Sequence, residues 1–184
     1  MALTATIHRV EVALSDVDRN VYESLDLRVA RHPSESMRYM LTRLFAYALS
    51  YEEGIAFSKG GLSSNDEAPI AVHDATGLLL AWIDIGSPSA ERLHKAAKAA
   101  KRVVLYTHTE LTLLRREMAK KEIHRAADIE VWRLEPAFLD GLEASIERHT
   151  QWELVRNEGQ LYVTAGKVTG EGTITRHSLV EPER

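Results

Sequence analysis

The chain has 184 residues, of which 45% are hydrophobic and none is cysteine, and its formal net charge is −4. This length is enough for one globular domain over residues 1–184, and the lack of cysteine excludes disulfides, thiolate metal sites and cysteine nucleophiles. The acidic balance differs from the basic footprint of a protein that coats nucleic acid. With no run of about eighteen apolar residues and no secretory pattern at the N-terminus, we expect a soluble, cytoplasmic protein without a membrane partner.

The N-terminal third predicts a hairpin followed by a helix. Alternating apolar and polar residues indicate two strands, over 4–14 and 20–30, joined by a polar turn. Apolar residues at helical spacing then predict a helix over 34–51, with Ser34 as its N-cap and Gly54 beyond its end.

The central segment predicts a second hairpin and a short helix. A short strand near 55–58 comes first, and the hairpin follows with strands 69–72 and 78–85. A helix near 88–101 begins after Ser87, which has the residue type of an N-cap.

The C-terminal half alternates strands and helices and ends in strands. A strand, a helix and a further strand in succession suggest parallel crossover connections. The predicted elements are, in chain order, a strand at 103–107, a helix within 110–125, a strand at 128–135, a helix at 136–149, and two or three short antiparallel strands with turns at 157–160 and 169–172. The whole pattern predicts an α+β fold, in which a mixed sheet is flanked by helices and extended by N- and C-terminal strands.

Basic residues are concentrated in the helix near 88–101 and in the helix after it. Runs of this kind are usually solvated helix faces. The alternative is a local groove for nucleic acid, to which Arg92, Lys95 and Lys98 would contribute.

Acidic residues stand at one end of the central hairpin. Opposite residues share a face of an antiparallel pair, and side chains alternate between faces along a strand. If His73 faces Gly77, or if a three-residue loop ends at Gly77, opposite position numbers add up to an even value. Asp66 and Asp84 are therefore expected on one face at one end of the hairpin.

Asp84 ends a strand that is apolar on both faces, which is typical of a strand covered on both sides. A carboxylate in that place is costly unless it is paired, hydrogen-bonded or bound to a cation. Converging carboxylates suit magnesium or manganese, which prefer oxygen ligands and keep waters that can be activated. Alternatively, Asp84 caps the next helix or pairs with Arg92, while Asp66 and Glu67 are ordinary loop acids.

The order helix, three antiparallel strands, helix, strand resembles the core of the PD-(D/E)XK nuclease superfamily. The resemblance implies a restriction-endonuclease-like fold and a metal site. By position, Asp66, or alternatively Glu67, matches the acid at the start of the second core strand. Asp84 matches the acid of the third strand, and Glu35 matches the glutamate of the first helix, although the helix dipole alone favours an acid there.

One position departs from that pattern, because Gly86 stands where the family has its lysine. Lys95 in the following helix could replace the lysine, and Arg92, one turn earlier, could grip a phosphate. The alternative is that both are solvated helix residues, or that Arg92 is a structural partner of Asp84.

The chain as a whole resembles the YaeQ family of bacterial proteins. The residues responsible are "ARHPSE" at 30–35, "DEAP" at 66–69, "WIDIG" at 82–86, and Arg92 with Lys95. This resemblance implies a variation on the nuclease fold and supplies no substrate. The leading hypothesis is a Mg²⁺- or Mn²⁺-dependent phosphodiesterase that acts on nucleic acid. The alternative hypothesis is a catalytically inactive member of the fold that binds nucleic acid or protein.

Overall fold

The computed structural model describes residues 4–59 and 65–181 as a mixed α+β structure. The strands are β1 Thr6–Asp16, β2 Val21–Arg31, β3 Ile55–Phe57, β4 Ile70–His73, β5 Leu79–Ile85, β6 Arg102–Thr107, β7 Glu130–Leu134, β8 His149–Asn157, β9 Gln160–Ala165 and β10 Val168–Ser178. The helices are α1 Met37–Leu49, α2 Ala90–Ala99, α3 Leu111–Met118 and α4 Pro136–Leu142. Over the described ranges, no helix is long and apolar enough to cross a membrane.

The chain divides into two compact units. The first comprises Met1–Tyr51 and Leu134–Thr175, and the second comprises Glu52–Arg133 and Arg176–Arg184. The single domain over residues 1–184 stays a prediction.

In the first unit the strands lie in the order β2, β1, β8, β9, β10. The predicted N-terminal hairpin is confirmed, and β1 and β2 pair along their whole length. β8 lies parallel to β1 on its other side, and β8, β9 and β10 are antiparallel neighbours. The C-terminal strands are therefore built onto the N-terminal hairpin.

The predicted turn at 169–172 is wrong, because those residues lie inside β10. The chain instead reverses between Ala165 and Val168, where Gly166 has a φ of 60°. Gly170 and Gly172 lie within the strand, where the absence of a side chain lets residues of α4 pack closely on the backbone. A Cβ built on Gly172 would lie 2.5 Å from Cγ of Phe138 in α4. The ring of Phe138 also packs on Phe45, with ring centroids 5.3 Å apart.

The close approach of Phe138 to the β10 backbone gives a prediction for Gly172→Ala. The added methyl group overlaps the ring, so the free energy of unfolding should fall by about 1–3 kcal/mol. Gly141→Ala is the control, because its Cβ would meet nothing within 4 Å and alanine in a helix is favoured by up to about 1 kcal/mol. Urea unfolding of both variants checks this, and equal stabilities would contradict it.

Helix α1 begins three residues later than predicted. Ser36, and not Ser34, is its N-cap, and the Ser36 side chain accepts a hydrogen bond from the Tyr39 N–H. Ser34 instead contacts the ring of His32. As a result, Glu35 precedes the helix and does not lie in its first turn.

In the second unit the strands lie in the order β7, β6, β5, β4, β3. β3, β4 and β5 are antiparallel, whereas β5, β6 and β7 are parallel, which confirms the predicted crossovers. The helices are shorter than predicted. α2 is capped by Ser89 and not by Ser87, because the Ser89 hydroxyl accepts from the Arg92 N–H.

The expected register of the central hairpin is wrong. His73 lies opposite Leu79, as one of the two registers requires, but an irregularity between Val72 and His73 then shifts the pairing by one residue. Ile70 therefore faces Ile83, so opposite position numbers add up to an odd value along the remaining ladder. The even sum that would place Asp66 and Asp84 on one face is therefore absent from most of the ladder. Asp66 itself lies before β4 in an irregular segment.

Candidate functional site

Asp84 is a buried carboxylate near the end of β5, with 2% of its surface exposed. β5 is flanked by β4 and β6, and its residues from Ala81 to Ile85 are buried, so the expectation of a strand covered on both sides holds there. The Asp84 Oδ2 atom accepts a hydrogen bond from Nε1 of Trp82 at 3.0 Å, and Oδ1 accepts one from the Ile85 N–H at 3.0 Å.

Arg92 completes the surroundings of Asp84 from the first turn of α2. Its Nε donates to Asp84 Oδ2 at 2.7 Å, and its NH2 group donates to the backbone carbonyl of Glu67 at 2.9 Å. The guanidinium also lies over the Trp82 ring, 5.4 Å from the ring centroid, where a cation–π attraction holds it. Arg92 therefore joins the end of β5 to the segment that contains Asp66 and Glu67.

Asp66 and Lys95 form an exposed ion pair beside this junction. Lys95 lies one helical turn after Arg92, so α2 presents both cations toward the 65–67 segment. The hydrogen bond from Lys95 holds the pKa of the Asp66 carboxyl below its usual range. Asp66 is therefore ionised at neutral pH.

The second unit thus brings together Asp66, Asp84, Arg92 and Lys95, which we call the β5–α2 cluster. The order of the contacts is Asp84 to Arg92, Arg92 to the Glu67 carbonyl, and Lys95 to Asp66. The Glu67 carboxylate accepts a hydrogen bond from the Ser58 hydroxyl at 2.7 Å. Glu67 therefore contributes its backbone to the cluster, while its side chain contacts the residue after β3.

Glu35 lies in the first unit, in a buried ion pair. Its Oε1 and Oε2 lie 2.8 and 3.0 Å from the NH2 nitrogen of Arg43, and the His32 N–H donates to Oε2 at 3.2 Å. Burial raises the pKa of Glu35, although Arg43 opposes that shift. The metal-binding role of Glu35 stays a prediction.

A divalent cation such as Mg²⁺ needs oxygen donors that converge on one point. In the described parts of the chain, no three or more histidine, aspartate and glutamate side chains are grouped to hold a metal ion. A carboxylate has about four lone-pair positions, and Asp84 uses three of them for protein donors. Asp66 is exposed to solvent. With no third carboxylate beside them among the described residues, Asp84 and Asp66 would supply at most two oxygen ligands, so an ion held here would keep most of its waters and would need a substrate phosphate to complete its ligands.

The contact between Trp82 and Asp84 was not predicted from the sequence. The alternation of side chains along a strand could have predicted this contact, because residues two apart in a strand share a face. The pair of hydroxyls beyond β5, where Ser87 Oγ and Thr109 Oγ1 lie 2.5 Å apart, was not predicted either. Nothing in the sequence links these two residues, which are brought together by the parallel pairing of β5 with β6.

The fold and the cluster define a mixed α+β protein with a buried acid–arginine pair at the end of a central strand. Residues 1–174 match the model of the YaeQ protein family, and the chain belongs to that family. It is 28% identical over 176 residues to a protein described as "Uncharacterized protein YaeQ" from Escherichia coli K12, covering 95% of this chain and 97% of the relative. A relative of the same description from Salmonella typhi is 30% identical over 166 residues, with 89% and 91% covered.

Two solved structures resemble the chain over nearly its full length. The crystal structure of a YaeQ protein from Pseudomonas syringae has a TM-score of 0.84 at 30% identity, covering 95% of this chain and 96% of that one. The YaeQ protein from Xanthomonas axonopodis pv. citri has a TM-score of 0.86 at 28% identity, covering 95% and 99%.

Proposed function

We propose that the β5–α2 cluster is the centre of a Mg²⁺- or Mn²⁺-dependent phosphodiesterase that acts on nucleic acid. The observation that supports this proposal best is the pair of contacts by which α2 directs Arg92 and Lys95 toward the carboxylates of Asp84 and Asp66. Two carboxylates and two cations at one strand end are the groups that phosphodiester hydrolysis needs.

A PD-(D/E)XK-like core is part of the proposal. In chain order, α1, three antiparallel strands β3 to β5, α2 and a strand β6 parallel to β5 agree with the order of that core. Asp66 and Asp84 would then be the two acids of the motif, and Lys95 would take the role of the lysine that is absent at Gly86.

Each residue of the cluster has a role in this proposal. Asp66 and Asp84 would hold the metal ion, which when bound polarises the phosphate and lowers the pKa of a bound water. Lys95 is exposed and long enough to exchange Asp66 for a phosphate oxygen, where its charge stabilises the negative charge of the transition state. Arg92 holds Asp84 in place, and its positive charge would attract the phosphate. Lys98, exposed on the same helix, would attract the next phosphates of a nucleic acid.

A second candidate is a non-catalytic module that binds nucleic acid or protein through the same surface. It is favoured by the three protein donors on Asp84, which satisfy that carboxylate without a metal ion. In this case Asp84 and Arg92 are structural, and Lys95 and Lys98 are solvent-facing cations for a partner.

The test is Mn²⁺ binding, followed by electron paramagnetic resonance, together with hydrolysis of bis(p-nitrophenyl) phosphate. The native protein should bind Mn²⁺, and Asp84→Ala should weaken that binding. Absence of Mn²⁺ binding, or an Asp84→Ala protein with the native metal affinity, would contradict the metal centre and leave the binding module.

Lys95→Met should lower kcat for this phosphodiester by roughly 100-fold, which is the usual effect of removing one donor to a developing negative charge. Lys120→Met is the matched control, because Lys120 also forms an exposed pair with a carboxylate, that of Glu117. The control should keep native kcat. Equal activity of the two variants would remove Lys95 from the proposed mechanism.

A further inference from the structure

Strand β2 presents a long outer edge, on which the Ala30 carbonyl near one end accepts a hydrogen bond from Arg43. It has 11 residues and lies first in the strand order of its sheet, with β1 as the neighbour on one side. Among the described residues, no strand pairs with its other side. An exposed strand edge is a ready template for pairing with another chain, so its side chains should show which partner it suits.

We propose that a second copy of this chain pairs with this edge, β2 against β2, antiparallel about a two-fold axis through Leu27. Residues that face each other across an antiparallel pair lie on the same face. With the axis at Leu27, Asp26 faces Arg28 of the second copy, and Glu23 faces Arg31 of the second copy. The symmetry makes each pair twice, so four ion pairs of opposite charge flank the axis.

The neighbouring registers are disfavoured by charge. With the axis one residue earlier, Asp26 would face Asp26 of the second copy, and with the axis one residue later, Arg28 would face its own counterpart. Like charges directly opposite each other destabilise a strand pair, whereas opposite charges stabilise it. Of these three alignments, the charges along β2 therefore favour the one about Leu27.

The charged groups are available for these contacts. Glu23, Asp26 and Arg28 are exposed. Asp26 accepts two hydrogen bonds from Arg9 on β1, at 2.8 and 3.0 Å, and a carboxylate has about four lone-pair positions, so a second guanidinium can be added. Arg31 uses Nε to donate to the Glu35 carbonyl at 3.1 Å, which leaves the end of its guanidinium for Glu23 of the second copy.

Sedimentation equilibrium over a range of concentrations tests the pairing. The native protein should show a monomer–dimer equilibrium. Arg28→Glu places an introduced acid opposite Asp26, and Asp26→Lys places an introduced base opposite Arg28. Each variant alone should have a dissociation constant at least about tenfold higher, because like charges then meet twice at the interface.

An equimolar mixture of the two variants gives the sharpest outcome. In the mixed pair every charge again faces its opposite, so the mixture should recover a dimer that neither variant forms well alone. Lys167→Glu, in the turn before β10, changes the net charge as Arg28→Glu does and should dimerise like the native protein. A monomeric native protein, native-like dimers of both single variants, or a mixture that stays monomeric would each overturn the proposal.

Discussion

Replacing Arg43 with methionine should lower the free energy of unfolding by about 3–5 kcal/mol at pH 7. The Arg43 guanidinium lies among buried residues, with only 7% of its side chain exposed, and Glu35 has 0%. Methionine fills most of the space but removes the cation that is hydrogen-bonded to the Glu35 carboxylate. A buried charge without a partner is among the most destabilising changes in a protein core. Thermal and urea unfolding would measure the loss.

The pH dependence of this loss identifies its cause. Because burial raises the pKa of Glu35, the folded state keeps this proton at a pH at which the unfolded chain has released it. The contribution of Glu35 to stability is therefore greatest below its ordinary pKa and falls as pH rises through the raised value. Loss of Arg43 raises that pKa further, so the deficit of Arg43→Met should shrink in acid.

Two further variants complete the experiment. Glu35→Gln combined with Arg43→Met removes both charges and should recover most of the lost stability. Arg38→Met breaks an ion pair with Asp140 in which both side chains are well exposed, so it should cost at most about 1 kcal/mol. A deficit of Arg43→Met that does not change with pH would point to lost packing and not to the stranded carboxylate.

The N-terminal hairpin and the strand–helix–strand order were predictable because each element has a clear period. The strand β2 alternates buried and exposed residues from Leu25 to Ala30, which is the signal that sequence reasoning uses. The caps were less predictable, because Ser34 and Ser36, like Ser87 and Ser89, are equal candidates by residue type. Ser36 and Ser89 are the caps because they accept hydrogen bonds from the backbone N–H groups of Tyr39 and Arg92. Which serine is placed to accept such a bond depends on where the irregular segment before each helix ends.

The four residues of the cluster were candidates from the sequence, together with Glu35 and Glu67, and the pairing of Asp84 with Arg92 was one of the stated alternatives. Asp84, Arg92 and Lys95 were connected by position along β5 and α2, and the structure brings them together with Asp66. The predicted register of the hairpin was wrong because one irregularity between Val72 and His73 shifts the pairing of the two strands. The alternation of apolar and polar residues cannot reveal a single extra residue of this kind. Asp66 reaches the cluster through its ion pair with Lys95.

In the proposed metal centre, Asp84→Asn should lower the rate of phosphodiester hydrolysis by at least about 100-fold and weaken Mn²⁺ binding, because the amide is a poor ligand for a hard cation. In the metal-free protein it should also lower the free energy of unfolding by about 1–3 kcal/mol. The amide has one oxygen for the three donors of Trp82, Ile85 and Arg92, and its NH₂ group must face one of those donors.

Arg92→Met separates the structural role of this ion pair from the catalytic one. It strands the buried Asp84 carboxylate and should cost up to about 3 kcal/mol, yet it leaves both proposed metal ligands in the chain. In a metal centre, Arg92→Met should therefore keep Mn²⁺ binding, and bound Mn²⁺ should restore part of the lost stability by replacing the missing positive charge. In a non-catalytic module, Mn²⁺ should leave the stability of both variants unchanged, because Asp84 would then depend on Arg92 alone for its counter-charge. Unfolding curves of the two variants with and without Mn²⁺ thus decide which cation the Asp84 carboxylate is built to hold.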